Sequence, residues 1–275
     1  MTEKIKVELG YVQKTLLLPL WGRAEESRKK NPKLMDNTAV EIIKNIDYDF
    51  STISKNINWI TKYSWVARSL HTDRVISDFI KKHPQATIVN IGCGLDTTFD
   101  RVDNGKIIFY ELDLPDVIDL RKNFFAGNDR RRTISSSFLD EEWLKGLEIK
   151  EGILFIAAGV FYYFNEEEIK NFFTALSHNF DECEIFFDAA SPTGVKIANK
   201  KVIEAGGMDS SAILKWGIKS AGQIESWDHG IKLIKKYPMF KGMKKGFPLK
   251  MKYGLWLSDV LKILSMVHLQ IGIRG

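Results

Sequence analysis

The stretch Thr87-Ile-Val-Asn-Ile-Gly-Cys-Gly-Leu-Asp96 joins a short, apolar, β-branched run to a Gly-x-Gly turn. Nineteen residues after Gly94, a second apolar run, residues 106–113, ends in Asp113. Both runs are typical of buried strands. In an open parallel sheet, ligands bind outside the carboxyl ends of the strands, where glycine lets the backbone approach and an acid accepts ribose hydroxyls. The two runs together predict a site for an adenosine-containing cofactor.

The residues after the glycine turn separate two classes of adenosine cofactor. A dinucleotide fingerprint has a third glycine, which brings a helix N-terminus to the pyrophosphate. This chain has Thr97 at that position, preceded by Asp96. A carboxylate there repels a pyrophosphate and suits a cofactor with an ammonium and no phosphate, such as S-adenosylmethionine. The sequence therefore favours a methyltransferase, with a nicotinamide-dependent dehydrogenase as an alternative.

The composition is that of a globular protein of one or two domains. Of the 275 residues, 27% are charged and 44% are apolar. The longest apolar run, residues 153–164, is too short to span a bilayer. The N-terminal residues lack the apolar stretch of a signal peptide, and the two cysteines have neither disulfide nor zinc spacing. We therefore expect a cytoplasmic protein with no metal and no membrane partner, of unknown oligomeric state.

The net charge of +5 is concentrated in a late group of lysines that alternates with aromatic residues. Such a group can form a surface for nucleic acid or an anionic acceptor, or simply a solvated surface. No nucleic-acid motif accompanies it, so we expect no nucleic-acid partner. The lysines are Lys232, Lys235, Lys236, Lys241, Lys244, Lys245, Lys250 and Lys252.

The hydrophobic pattern changes its period along the chain. Residues 10–82 show helical spacing, and from residue 86 onward strand and helix patterns alternate. This alternation predicts an α/β fold with a doubly wound parallel sheet. The predicted strands are 87–92, 106–113, 132–138, 152–160 and 183–190, and the helices between them are 117–125 and 165–178.

The change of pattern predicts four parts. Residues 1–85 form an N-terminal helical extension over the cofactor, and residues 86–190 form the cofactor-binding core. The glycine-rich residues 191–250 are too long for a simple connection and are expected to form an inserted lid that binds the acceptor. Residues 251–275 add a helix near 255–264 and an apolar run, 266–273, that completes the sheet.

Several blocks of sequence resemble the leucine carboxyl methyltransferase family, and specifically its bacterial branch of small-molecule O-methyltransferases linked to polyketide-type metabolism. The likeness spans most of residues 11–190 and implies a Rossmann-like, class I S-adenosylmethionine-dependent methyltransferase. The blocks are Lys14-Thr-Leu-Leu-Leu-Pro-Leu-Trp-Gly-Arg-Ala24, Val66-Ala-Arg68, the glycine block through Arg101, Tyr110-Glu-Leu-Asp-Leu-Pro115 and Ala158-Gly-Val-Phe-Tyr-Tyr-Phe164.

The resemblance implies roles for residues at matching positions. Gly92 and Gly94 would line the methionine part of the cofactor, and Asp113 would accept the ribose hydroxyls. Arg68 would pair with the cofactor's carboxylate, which its planar fork suits, with Lys14 as a helper. The remaining cofactor-binding candidates are Cys93, Leu114, Ala158 and, beside the adenine, Ser137 and Phe138.

One departure from the family bears on the acceptor. Members that methylate protein carboxyl groups carry a glutamate where this chain has Ala158, which favours a small molecule with a hydroxyl or carboxylate oxygen. A protein C-terminus and a non-catalytic cofactor-binding module remain alternatives. No residue is assigned as catalytic base; the candidates weighed are His71, His178, His229, Tyr162 and Tyr163, and the tryptophans weighed for an apolar acceptor pocket are Trp216, Trp227 and Trp256.

Overall fold

The computed structural model describes residues 4–220 and 222–272. The helices are α1 (Leu17–Ser27), α2 (Asn37–Asn45), α3 (Ser51–Asn56), α4 (Trp59–Lys82), α5 (Thr98–Val102), α6 (Pro115–Arg121), α7 (Glu166–Asn179), α8 (Pro192–Ala198), α9 (Gly222–Glu225) and α10 (Leu249–Val260). The strands are β1 (Ile5–Lys6), β2 (Ile46–Asp47), β3 (Thr87–Ile91), β4 (Ile108–Asp113), β5 (Arg131–Ser135), β6 (Ile153–Ala157), β7 (Cys183–Ala190), β8 (Lys232–Pro238) and β9 (Leu264–Ile271).

Seven strands form the central sheet within the described residues, in the order β5-β4-β3-β6-β7-β9-β8. The five strands from β5 to β7 are parallel, whereas β9 runs antiparallel to both β7 and β8. The strand order reverses at β3, which lies between β4 and β6. This arrangement confirms the predicted doubly wound α/β fold, and the reversal is where such sheets bind ligands.

Helices cover both faces of the sheet. Every residue of β3 and of β6 is buried, as expected for strands covered on both sides. On one face, Ile88 and Leu154 pack in a cluster with Val66 and Ile76 of α4. On the other face, Phe155 packs in a cluster with the apolar residues of α7. None of the helices in the described part of the chain is long and apolar enough to cross a membrane.

The N-terminal helices pack over the carboxyl end of the sheet. Leu17 and Leu20 of α1 share an apolar cluster with Ile42 of α2, Leu95 after the glycine turn and Val117 of α6. A buried ionic network joins the same elements. Arg23 lies 2.9 Å from Asp36 and donates to the carbonyl of Leu95, also at 2.9 Å. The extension is therefore fixed directly to the turn that ends β3.

Several predicted boundaries were wrong. Strand β6 ends at Ala157 rather than 160, because the chain turns at Gly159, where φ is +81°. Strand β5 runs from Arg131 to Ser135 rather than 132–138, and α6 begins at Pro115 and ends at Arg121 rather than spanning 117–125. The last helix begins at Leu249 and ends at Val260, not 255–264, and the apolar residues that follow belong to a turn and to β9. Ile273 and residues 1–3, 221 and 274–275 lie outside the described residues.

Strand β8 lies inside the segment expected to be a lid. It pairs with β9 at the edge of the sheet, so residues 232–238 belong to the sheet rather than to a lid. The sequence hid this strand because its lysines look like a solvated charge run, and lysines are common on edge strands that must not pair with another chain.

Candidate functional site

The glycine turn after β3 has a backbone that other residues adopt only with strain. Gly92 and Gly94 have φ angles of +60° and +48°, in the left-handed region. A Cβ atom on Gly92 would lie 2.6 Å from Cγ2 of Val160, so the turn also packs closely against the loop after β6. The amide of Gly94 donates to Oδ2 of Asp113 at 2.7 Å. The turn and the end of β4 are thus joined directly.

Asp113 is held at the end of β4 by two backbone amides, one to each carboxylate oxygen. Besides Gly94, the amide of Leu114 donates to Oδ1 at 2.8 Å. Burial raises the pKa of Asp113 to about 6, although these amides oppose the shift. Each oxygen keeps a second lone pair that can accept a hydroxyl proton, so the geometry fits a ribose diol.

A cavity of about 230 Å³ lies beside Asp113. Its wall brings together Gly92, Gly94, Leu114, Ser137 and Phe138, all predicted cofactor contacts. Phe138 is buried in an aromatic cluster and packs edge-on against Phe164 with ring centroids 4.6 Å apart. The cavity therefore combines a carboxylate with an apolar aromatic wall, as an adenosine requires.

Arg68 projects from α4 to the carboxyl end of the sheet. Its Nε donates to Oδ2 of Asp188 at 2.6 Å, and Asp188 is fully buried. Asp188 also accepts the amide proton of Gly159 at 2.7 Å and the hydroxyl proton of Tyr162. Although burial opposes the charge, Asp188 raises the pKa of Arg68 above its ordinary value. The guanidinium is consequently a fixed positive charge.

A second, smaller cavity of about 70 Å³ lies between Arg68 and the glycine turn. Cys93, Asp96 and Ala158 contribute to its wall. Although burial disfavours its charge, Arg23 and Arg101 lower the pKa of Asp96 to about 2. Burial raises the pKa of Cys93 well above its ordinary value, so it is a thiol and not a nucleophile. Its wall includes the cations Arg23 and Arg68 and the anion Asp96, and charges of both signs suit the carboxylate and ammonium of an amino-acid group.

A third cavity, of about 110 Å³, is also lined by Arg68, and we call it the acceptor cavity. It shares Arg68 and Ala158 with the glycine-turn cavity, and Gly159 and Tyr163 with the cavity beside Asp113. The hydroxyl of Tyr163 lies 3.0 Å from Oγ1 of Thr15. Its remaining wall includes Trp65, Ala190, Ala198, Val202, Ile203, Leu214 and Leu264.

The structure does not bring every candidate to these cavities. Lys14 lies near Asp209, whose pKa is lowered by hydrogen bonds from Ser211 and, more weakly, by the charge of Lys14. His71 is buried with its Nε2 at 2.8 Å from the carbonyl of Met239. His178 and His229 are exposed. None of these four belongs to the walls of the three cavities among the described residues.

The tryptophan candidates are also separated. Trp216 and Trp227 pack against each other in the core, with ring centroids 6.3 Å apart, and Trp256 is 49% exposed on α10. The residues that sequence reasoning missed are Asp188, Asn90 and Thr15. Asn90 donates to Asp96 at 2.9 Å. The sequence does contain a signal for Asp188, because it is an acid within the apolar run that follows Glu184 in β7, but no local pattern indicates its partner.

The chain is similar to known methyltransferases in sequence. The model of the family described as leucine carboxyl methyltransferase matches residues 17–177. The chain is 30% identical over 235 residues to the tetracenomycin polyketide synthesis O-methyltransferase TcmP of Streptomyces glaucescens, covering 85% of each protein. It is 25% identical over 206 residues to the S-adenosyl-L-methionine-dependent methyltransferase dpfgK of Gibberella zeae, covering 68% of this chain and 69% of that protein.

Two solved structures share the fold at low sequence identity. A DUF574 family protein from Streptomyces avermitilis is 10% identical with a TM-score of 0.59, covering 93% of this chain and 97% of that one. The plantazolicin methyltransferase BamL, solved with S-adenosylhomocysteine and a triazolic desmethylPZN analog, is 13% identical with a TM-score of 0.52, covering 96% and 98%. The family model and the relatives confirm the resemblance seen in the sequence, and the two solved structures confirm the fold. The chain therefore belongs to the leucine carboxyl methyltransferase family and is an S-adenosylmethionine-dependent methyltransferase.

Proposed function

We propose that this chain transfers a methyl group from S-adenosylmethionine to an oxygen of a small-molecule acceptor. The observation that carries the proposal is the acceptor cavity, which meets both cofactor-side cavities at Arg68, Ala158 and Gly159. When bound, S-adenosylmethionine supplies a methyl group on a positively charged sulfur. The protein then acts mainly by holding the acceptor in line with that group.

The residues around the glycine turn have chemistry suited to each part of the cofactor. We assign the ribose hydroxyls to Asp113, the carboxylate to Arg68 and the ammonium to Asp96. Gly92 and Gly94 let the backbone approach the methionine part, and the adenine lies against Ser137 and Phe138. Because charged groups of both signs line the small cavity, they would fix the direction of the amino-acid end.

The acceptor oxygen is proposed to be already acidic. The described residues that line the acceptor cavity include no His, Asp, Glu or Lys. Burial, followed by the charge of Asp188, raises the pKa of Tyr162 well above its ordinary value, and burial also raises the pKa of Tyr163. Neither tyrosine is therefore ionised near neutral pH to serve as a base. A carboxylate or an acidic phenol needs no such base and is attracted by Arg68.

The size and covering of the acceptor cavity support a small molecule. Ala198, Val202, Ile203 and Leu214, from the segment after β7, cover it with apolar side chains. Ala158 replaces the acid expected in enzymes that methylate protein carboxyl groups. The name of the relative from Streptomyces glaucescens, an O-methyltransferase of polyketide synthesis, supports a polyketide-type acceptor.

A labelled-methyl assay tests the acceptor class. The purified chain is first titrated calorimetrically with S-adenosylhomocysteine and, separately, with NAD, and we expect binding of the former only. It is then given methyl-labelled S-adenosylmethionine with phenols, aromatic carboxylic acids, aromatic amines and a peptide ending in leucine. Mild alkali releases methanol from methyl esters but not from aryl ethers, which separates the two oxygen acceptors.

The Asp113→Asn variant is the control for labelling that does not depend on the cofactor site. We expect label in phenols or carboxylic acids, and much less label in the variant at a cofactor concentration below saturation. Label found only in amines or in the peptide would contradict the proposal. Binding of the homocysteine product without any labelling would favour the non-catalytic module.

A further inference from the structure

Helix α10 carries an exposed apolar face on one of its sides. Counted from Leu249, the other members follow after four, seven, eight, eleven and twelve residues, a spacing that places them on the same side of a helix. Leu249 is 83% exposed and Trp256 is 49% exposed. The helix meets the rest of the molecule through Leu255 and Asp259, its buried residues. The face, called here the α10 face, consists of Leu249, Tyr253, Trp256, Leu257, Val260 and Leu261.

Positive charge predominates in the segment of chain that contains the α10 face. Residues 239–263 contain six lysines and a single acid, Asp259. That acid is buried, and its carboxylate lies 2.7 Å from Nζ of Lys244. At a helical turn of about 100° per residue, Lys252 falls beside Trp256 at one border of the apolar face, and Lys250 falls between Leu257 and Leu261 near the other. The exposed surface of this segment is therefore apolar in its centre and cationic at its rim.

Two occupants fit this surface poorly. A second copy of the chain, seated face to face, would bring two sets of lysines together, and like charges across an interface oppose association. Single-stranded nucleic acid binds to aromatic platforms on which bases stack, yet Leu249, Leu257, Val260 and Leu261 have no π-face. An occupant must offer both negative charge and an apolar interior.

We propose that the α10 face docks this protein on an anionic lipid surface. The helix would lie in the plane of the interface, with its leucines and valine at the acyl boundary, Tyr253 and Trp256 among the headgroups, and its lysines on lipid phosphates. The sequence predicted no membrane partner because no apolar run is long enough to span a bilayer, whereas a helix lying in the interface needs no such run. It goes beyond the proposed function and stands without it.

The position of α10 relates this surface to the cavities. Strand β9, which follows α10, begins at Leu264, and Leu264 pairs with Ala190 at the carboxyl end of β7. Both residues line the acceptor cavity. The α10 face thus lies at the same end of the sheet as that cavity, so docking brings this end of the molecule close to the lipid.

Vesicle co-sedimentation of the full chain tests the inference. Vesicles of phosphatidylcholine alone are compared with vesicles that also contain phosphatidylglycerol. We expect binding to the anionic vesicles only, with affinity that falls as salt is added. Equal binding to both vesicles, or binding to neither, would overturn the inference.

Paired variants separate the α10 face from the general surface. Lys245→Glu with Lys250→Glu, and Trp256→Ser with Leu261→Ser, should each weaken vesicle affinity by about tenfold or more. The matched controls are Lys106→Glu with Lys170→Glu, and Ile234→Ser, all at exposed positions elsewhere, which should have little effect. Unchanged S-adenosylhomocysteine affinity and thermal midpoint show that each variant is folded.

Two further outcomes would overturn the inference. If the controls weaken vesicle binding as much as the α10 variants do, the attraction is a general charge effect. If the chain is a dimer in solution and Trp256→Ser with Leu261→Ser makes it a monomer, the face is an interface between copies.

Discussion

Arg68 and Asp188 form a buried ion pair, with Nε of the arginine 2.6 Å from Oδ2 of the aspartate and the aspartate fully buried. Arg68 comes from the N-terminal extension and Asp188 from β7. The pair therefore joins the extension to the sheet beside the two cavities that Arg68 lines. Because Asp188 also accepts from Gly159 and Tyr162, it organises the loop after β6 as well.

Replacing Asp188 should cost stability. Asp188→Asn leaves Arg68 buried without its counter-charge, and we expect the free energy of unfolding to fall by about 3–5 kcal/mol. Urea unfolding measures this change. The matched control is Asp103→Asn, which breaks a more exposed aspartate–arginine pair with Arg130 and should cost about 1 kcal/mol or less. Equal effects of the two variants would show that burial of the pair is unimportant.

Removing the guanidinium should weaken cofactor binding. We expect Arg68→Ala to reduce S-adenosylhomocysteine affinity about tenfold or more, which is about 1.4 kcal/mol. Arg68→Lys keeps the positive charge but loses the planar guanidinium that can donate two parallel hydrogen bonds, so its affinity should lie between those of Arg68→Ala and the wild type. Calorimetry measures both, and Arg132→Ala, at an arginine paired with Glu148 away from the cavities, is the control. Wild-type affinity in a folded Arg68→Ala variant would refute the assignment.

Cofactor affinity should depend on pH through Asp113. Its pKa of about 6 means that the carboxylate is protonated below this pH and can no longer accept both ribose hydroxyls. We expect S-adenosylhomocysteine to bind about tenfold more weakly at pH 5 than at pH 8. The stability of the unliganded protein has the opposite pH dependence. Because the pKa of Asp113 is raised in the folded state, this group stabilises the fold at low pH, and the contribution is lost as the pH rises from about 4 to about 6.

Calorimetric titrations across that pH range give the affinities. The Asp113→Asn variant should bind S-adenosylhomocysteine about tenfold more weakly than the wild type at neutral pH. Its affinity should not change with pH between 5 and 8. If the variant retains the wild-type pH profile, another group is responsible for it.

The glycine turn should tolerate no side chain. Gly92→Ala would place a methyl group 2.6 Å from Val160 and also strain a positive φ, and we expect a loss of about 2–4 kcal/mol in the free energy of unfolding. Gly105→Ala is the control, since φ there is +78° but nothing lies within 4 Å of the added carbon. It should cost only about 1–2 kcal/mol. Equal losses in urea unfolding would show that the contact with Val160 is not limiting.

The parts of the fold that sequence predicted are those with local signals. Strands β3 and β4 are mainly apolar runs, and a Gly-x-Gly turn directly follows β3. The resemblance placed Gly92, Asp113, Ser137 and Phe138 in one region, and the structure brings them to one cavity. Their roles toward the cofactor stay predictions.

What sequence could not predict depends on distant partners. Asp188 is matched to Arg68 across 120 residues, and no local pattern records that pairing. Strand β8 was hidden because an edge strand is half-solvated, so its lysines masked the alternation. The start of α10 was missed because its apolar residues face solvent rather than the core, which breaks the assumption that apolar periodicity marks a buried face.

The Arg68–Asp188 pair also constrains the order in which the chain can acquire its cofactor site. A guanidinium cannot be buried stably until its counter-charge arrives, and here that requires β7 to dock beside β6. Closing a loop of this length costs conformational entropy, which the contacts of β7 must offset. A chain that has formed the glycine turn but not docked β7 would lack the ion pair that holds Arg68, the residue proposed to bind the cofactor's carboxylate. We therefore expect tight cofactor binding to require β7 in place.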